Sequence, residues 1–264
     1  MEDYGTAGLS SKDKSTMNVS KIESTLQLVF EDKEILPIIF ARSISHFELS
    51  FQFKKIVCNS ELEYQSDNFN TSLSELRESK NSILRIIGEN GDIQIRRNFS
   101  FLTVKFQYNN KTNDITNVFN AICNIKEFVF AIHYNRYDVL WQSNKSYDFA
   151  KLNGQILEST KIYVDKLGRK LIDVAENYGR KVTIFPGFEF VIASEYWLNE
   201  DYKEDINVIN KLLSFNGYKN RSVFTEGVVY LKLYEFDESY RKIQEKLWKH
   251  IDIDDFLHQL VRGM

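Results

Sequence analysis

Catalysis needs polar groups converging on one place, and the residue types that most often supply them are sparse in this chain. The four histidines, His46, His133, His250 and His258, stand apart from one another and from both cysteines, so no close pair of zinc ligands is visible. The 11 glycines are scattered singly, and no GxxxxGK phosphate loop, GxGxxG turn or GxSxG elbow occurs. Cys58 and Cys123 sit among apolar residues, as buried unpaired thiols do, and their number excludes a disulfide scaffold. A metal-dependent nuclease would gather carboxylates and a lysine at strand ends. The nearest approach is Asp67 followed by Glu78, Ser79 and Lys80, a charge-rich stretch where such triplets arise by chance. The expectation is a chain with no metal site, no cofactor and no catalytic residue, a binding protein in preference to an enzyme.

Two strings remain as candidate binding residues. Arg97, Phe99 and Phe101 partly match the central strand of the RNA-recognition motif, in which a basic residue and two exposed aromatics stack bases, although both glycine-like positions and the last aromatic differ. The slightly acidic balance weighs against phosphate contact. Glu195, Glu200, Asp201, Glu204 and Asp205 bracket Tyr196 and Trp197, and Asp252, Asp254 and Asp255 follow Trp248. Carboxylates of this kind cap helices. Placed beside aromatics they also make a surface that meets a basic partner, with the rings as anchors and the charges steering encounter.

The elements that position these residues are legible in outline. Alternation from residue 21 to 57, clearest in Phe47, Leu49, Phe51 and Phe53, predicts strands, and Phe69, Leu73 and Leu76 predict a short helix over 68–77. NSILRII, DIQIRR and SFLTVKFQY then read as a β-meander, and a helix opened by Asp114 carries Ile115, Phe119, Ile122, Phe128, Val129 and Ile132 before YDVLW as a strand. Beyond a turn-rich junction near Asn153 the second half reads KIYVD as a strand, 166–178 as a helix stopped by Gly179, and KVTIF with FEFVIASEYW as a hairpin. DYKEDINVINKLL follows as a helix, GVVYLKLYEF as a strand, then a helix from Asp237 with Tyr240, Ile243 and Leu247, and a shorter one near 256–260. The fold class is therefore α+β: two β-rich halves with helices on one face, in the order of tandem ferredoxin-like units. The division is 1–17 as a disordered leader, 18–152 and 153–264 as the two halves.

Composition fits that frame. The 264 residues are 43% hydrophobic, 27% charged and 14% aromatic, with a net charge of -3, which describes a folded chain with no pull towards polyanions. No apolar run is long enough to span a bilayer or to serve as a signal peptide, so the cytoplasm is the expected location.

From Ile83 to Leu213 the layout resembles immunity proteins of bacterial polymorphic-toxin systems. The resemblance rests on the hairpin ending in SFLTVKFQY, the helix from Asn113 running into YDVLWQS, and GFEFVIASEYWLNED leading into DINVINKLL. It implies an intracellular inhibitor that binds a cognate toxin, often a basic one, and blocks its site without chemistry. Two alternatives stay open: a nucleic-acid-binding or nucleic-acid-processing protein, and an assembly component of a phage or secretion apparatus.

Overall fold

Fourteen strands, numbered β1 to β14, and four α-helices, α1 to α4, make up the regular structure among the described residues. The computed structural model describes residues 23–32, 53–58, 62–64, 83–88, 91–98, 101–109, 124–152, 154, 156, 160–175, 177–185, 188–203, 206–235 and 240–252. The first half supplies β1 (Glu23–Glu31), β2 (Phe53–Cys58), β3 (Leu62–Tyr64), β4 (Ile83–Gly88), β5 (Gly91–Asn98), β6 (Phe101–Asn109) and β7 (Phe128–Asn135). Helices α1 (Arg136–Ser143) and α2 (Tyr147–Leu152) lead to the hairpin β8 (Ile162–Val164) and β9 (Lys170–Ile172) and to a second hairpin, β10 (Val182–Phe185) and β11 (Phe188–Phe190). The chain ends in β12 (Glu195–Asn199), α3 (Asn207–Ser214), β13 (Asn220–Thr225), β14 (Val228–Lys232) and α4 (Tyr240–Ile251).

Ten of the strands form one sheet in the order β13-β14-β12-β7-β1-β6-β5-β4-β2-β3, antiparallel throughout. The meander β4–β6 and the α+β class agree with the expectation, and strands from both sides of position 153 share hydrogen bonds where β12 meets β7. A split βαβ unit is present in the second half. β12 passes through α3 to β13, with β14 inserted between the two strands, and α4 follows. It uses other elements than those expected, and β7 from the first half lies beside β12 on its far side.

Four assignments need correction. FEFVIASEYW, expected as one strand of a hairpin, is divided into β11, which pairs with β10, and the start of β12, which pairs with β7 and β14. Phe128–Asn135, expected as the end of a long helix, is β7. It lies in the middle of the sheet with Phe128 to Ile132 buried without a break, which erases the alternation that marks a strand. YDVLW, expected as a strand, lies in α1, whose start is fixed by the Asn135 side chain accepting from the Asp138 amide at 3.0 Å. The helix expected over 166–178 is instead the β8–β9 turn, β9 and a loop. Asp165 Oδ1 accepts from the amides of Leu167 and Arg169, and Gly168 takes a positive φ of 76°. The expectations on 1–17, Phe47, Leu49 and Phe51, 68–77, Asp114 to Ile122 and 256–260 lie outside the described residues.

The sheet changes its buried side along its width. In the second half Phe130, Ile132, Tyr134, Tyr196, Leu198, Val229 and Leu231 face Val139 of α1, Ile209 and Leu212 of α3, and Leu247, Trp248 and Ile251 of α4. In the first half the opposite side is buried, through Leu26, Leu28, Leu84, Ile86, Ile93, Ile95, Val104 and Phe106. Helix α4 is locked to α1 by a buried polar network. The Asp138 carboxylate accepts from Gln142 (2.7 Å), Gln244 (3.3 Å) and the Tyr240 hydroxyl (2.9 Å), and pairs with Arg241. Gln244 also donates to the Tyr234 hydroxyl, and Gln142 Oε1 accepts from the Gly179 amide at 2.6 Å. Gly179 does not stop a helix. It is needed because a Cβ there would meet the Gln142 side chain at 1.9 Å.

Candidate interaction surface

Strand parity divides the residues singled out from the sequence. Side chains alternate across β12, so Glu195, Trp197 and Asn199 emerge on the open side of the sheet while Tyr196 and Leu198 enter the core. Tyr196 is fully buried and its hydroxyl accepts from the Ala193 amide at 2.7 Å, so it builds the core and cannot anchor a partner. Glu200 and Asp201 lie exposed in the 3-10 turn that follows β12, with Asp201 capped by Asn199. Glu204, Asp205, Asp254 and Asp255 lie outside the described residues.

On the open side a chain of hydrogen bonds links side chains of four strands and passes over a fifth, β1. Tyr108 of β6 lies 2.9 Å from His133 Nε2 on β7, His133 Nδ1 donates to Glu195 of β12 at 2.6 Å, and the Tyr230 hydroxyl of β14 donates to the other oxygen of Glu195 at 2.7 Å. Trp197 packs beside this chain with its ring 5.2 Å from that of Tyr230. Burial works against the Glu195 charge, but His133, Tyr230 and Lys232 outweigh it and hold the carboxyl below its ordinary value. Burial raises both tyrosines well above the usual range, with Glu195 adding to the rise, so they stay protonated as donors. Both ring nitrogens and both carboxylate oxygens are already engaged. The arrangement ties the strands together through their side chains.

The acidic character lies one strand-end further on. Tyr202 is half-buried against the core, and its pKa is pushed up to about 12 by burial first, then by Glu31, which accepts its hydroxyl, and by Glu127 and Asp201. The Glu31 amide donates to the Glu127 carbonyl at 2.9 Å, and the Asn199 side-chain amide donates to the Phe128 carbonyl at 2.9 Å, which brings the end of β1, the start of β7 and the end of β12 together. Lys126 and Lys203 are exposed beside these residues in sequence. Glu31 and Glu127 carried no signal in the sequence, because only the sheet register joins them to Asp201.

Arg97 and Phe101 do not form a base-stacking platform. Strands β5 and β6 break over two residues, so Arg97 pairs across to Leu102 while Asn98 pairs with Phe101, and the two side chains fall on opposite sides. Arg97 is in an ion pair with Asp32, and Phe101 packs against the core. Phe99 lies outside the described residues, as do His46, His258, Cys123, Asp67, Glu78, Ser79 and Lys80. His250 meets Ser214 and the Lys211 carbonyl, both at 3.0 Å, which holds α4 to α3. A shallow cavity of about 410 Å³ lies at the foot of the β8–β9 hairpin, between Tyr163, Ile172, Lys145 and Arg180. The Arg180 guanidinium is already stacked 4.1 Å over the Trp248 ring.

Among the described residues no group of three or more His, Cys, Asp or Glu could hold a metal ion, and no helix is long and apolar enough to cross a membrane. Comparison with protein-family models, with curated proteins and with solved structures found no match.

Proposed function

We propose that this chain works by surface contact as an immunity-like inhibitor in the cytoplasm, binding a basic protein toxin through the acidic edge around Tyr202. The observation that carries the reading is the gathering of Glu31, Glu127 and Asp201 around one half-buried tyrosine, whose pKa is raised by burial first and then by these carboxylates. An aromatic residue fixed in the core and ringed by carboxylates supplies what a protein contact needs: a rigid anchor, and charges that speed encounter with a cationic partner. Trp197 and Tyr230 add aromatic area on the open side of the sheet. Two of the three residues behind the nucleic-acid reading do not support it, since Arg97 is paired with Asp32 and Phe101 faces the other way.

The test is affinity capture of the products of neighbouring genes co-expressed with this chain. Wild type should retain a basic partner at low salt and lose it progressively as salt rises, while the double variant Glu127→Lys/Asp201→Lys retains little at any salt. Recovery of no partner, or equal recovery by the variant, would sink the reading.

A further inference from the structure

Eight large apolar side chains are exposed among the described residues, and seven of them fall between Leu140 and Leu167. Three are consecutive in β8: Ile162, Tyr163 and Val164. This strand pairs with β9 through Ile162 and Ile172, Tyr163 and Leu171, and Val164 and Lys170. The Asp165 amide donates to the Arg169 carbonyl at 3.0 Å and the Asp173 amide to the Lys161 carbonyl at 2.9 Å. Positions 161, 163 and 165 therefore direct their backbone groups towards β9, and Ile162 and Val164 direct theirs outward. Among the described residues no strand pairs with that outer edge. A flat, apolar, unpaired edge is a template for another strand.

We propose that a second copy of the chain docks on this edge, β8 against β8 in antiparallel pairing about a two-fold axis through Tyr163. Self-complementarity selects both the occupant and the register. With the axis at Tyr163, Ile162 faces the second copy's Val164 in hydrogen-bonded pairs that use the outward backbone groups, and Lys161 faces the second copy's Asp165. Moving the axis by one residue towards Ile162 sets Lys161 opposite Tyr163 and Thr160 opposite Val164, and moving it towards Val164 sets Ile162 opposite Lys166. Only the central register matches apolar with apolar and cation with anion. Ile162 and Val164 of the two copies then share one side of the four-stranded sheet, and the two Tyr163 rings share the other. The contact is short for a stable dimer, so it forms at high protein concentration. It is independent of the acidic edge and of the function proposed for that edge.

Sedimentation equilibrium of the full chain from micromolar to millimolar concentration should show the mass climbing from 31.1 kDa towards twice that value. Val164→Lys changes a mostly exposed side chain and sets a lysine against Ile162, so its mass should stay at that of one chain. Facing residues at a non-hydrogen-bonded position lie about 4.5 Å apart at Cα, within disulfide reach. Under mild oxidation Tyr163→Cys should therefore cross-link faster than Leu167→Cys, which is more exposed but off the axis, with the wild type and its Cys58 and Cys123 as the baseline. A constant mass of one chain at the highest concentration, or equal cross-linking at the two positions, overturns the proposal.

Discussion

Glu195 takes hydrogen bonds from His133 and Tyr230 in a setting that lowers its pKa, and the sign of the resulting pH dependence follows. A carboxyl that ionises more readily in the folded state adds stability that is fully present at pH values above its unfolded pKa and is lost as pH falls through the lower folded value. Glu195→Gln should therefore lower the urea midpoint at neutral pH and have little effect once the wild-type carboxyl is protonated. An equal loss at pH 7 and at strongly acidic pH would mean that the charge is not what matters. The sequence exposed only part of this site. Adjacent strand residues point to opposite sides, so Tyr196 and Trp197 could not both be surface anchors once SEYW is read as a strand, and that parity was legible in advance. The link from Glu195 to His133, 62 residues away, depends on the register of β12 against β7, which no local pattern specifies. Arg97 and Phe101 would share a side on one continuous strand, and the two-residue break between β5 and β6 separates them.

Secondary structure was legible where one side of an element meets solvent and the other meets the core. In α3, Val208, Ile209, Leu212 and Leu213 are buried and Asn207, Asn210 and Ser214 are exposed, and the helical period is plain in the sequence. It was illegible where both sides are covered, as in β7, or where a short helix depends on a cap and buried polar partners, as in α1. The polar lock between α1 and α4 makes its own prediction. Gln244 is fully buried and engages Asp138, Gln142 and the Tyr234 hydroxyl, so Gln244→Ala strands several polar groups and should cost about 1–3 kcal/mol. Arg241 pairs with the same Asp138 from a half-exposed position, where solvent screening limits Arg241→Ala to at most about 1 kcal/mol. Urea denaturation of both variants decides the matter. Equal losses would show that the buried amide is not the part that holds the helices together.

At the scale of the molecule, the sheet is apolar on one side in its first half and on the other in its second, and the exchange occurs across β1 and β7, which carry buried residues on both sides. This arrangement makes the two halves depend on each other. The second-half core includes Val29 of β1, Phe130, Ile132 and Tyr134 of β7, and Val139 of α1, and β12 takes its backbone partners on one side from β7. A chain divided at position 153 would leave β7 and β12 as unpaired edges in separate fragments, with Phe130 and Ile132 stripped of α3 and α4 in one and the remaining core deprived of β1 and β7 in the other. A junction near position 153 suggests itself from sequence because the polar, turn-rich segment there has the composition of a linker. In the fold, α2 lies within it, the β8–β9 hairpin follows it, and strands from before and after it join the same sheet. Fragments 1–152 and 153–264 made separately should therefore aggregate or unfold without a cooperative transition, while co-expression should recover a complex that melts as the intact chain does. The decisive outcome is the behaviour of 153–264 alone. A monomeric fragment with a sharp urea transition would show that α3, α4 and the split βαβ unit suffice for a core without β1 and β7, and the mutual dependence argued from the shared sheet would fail.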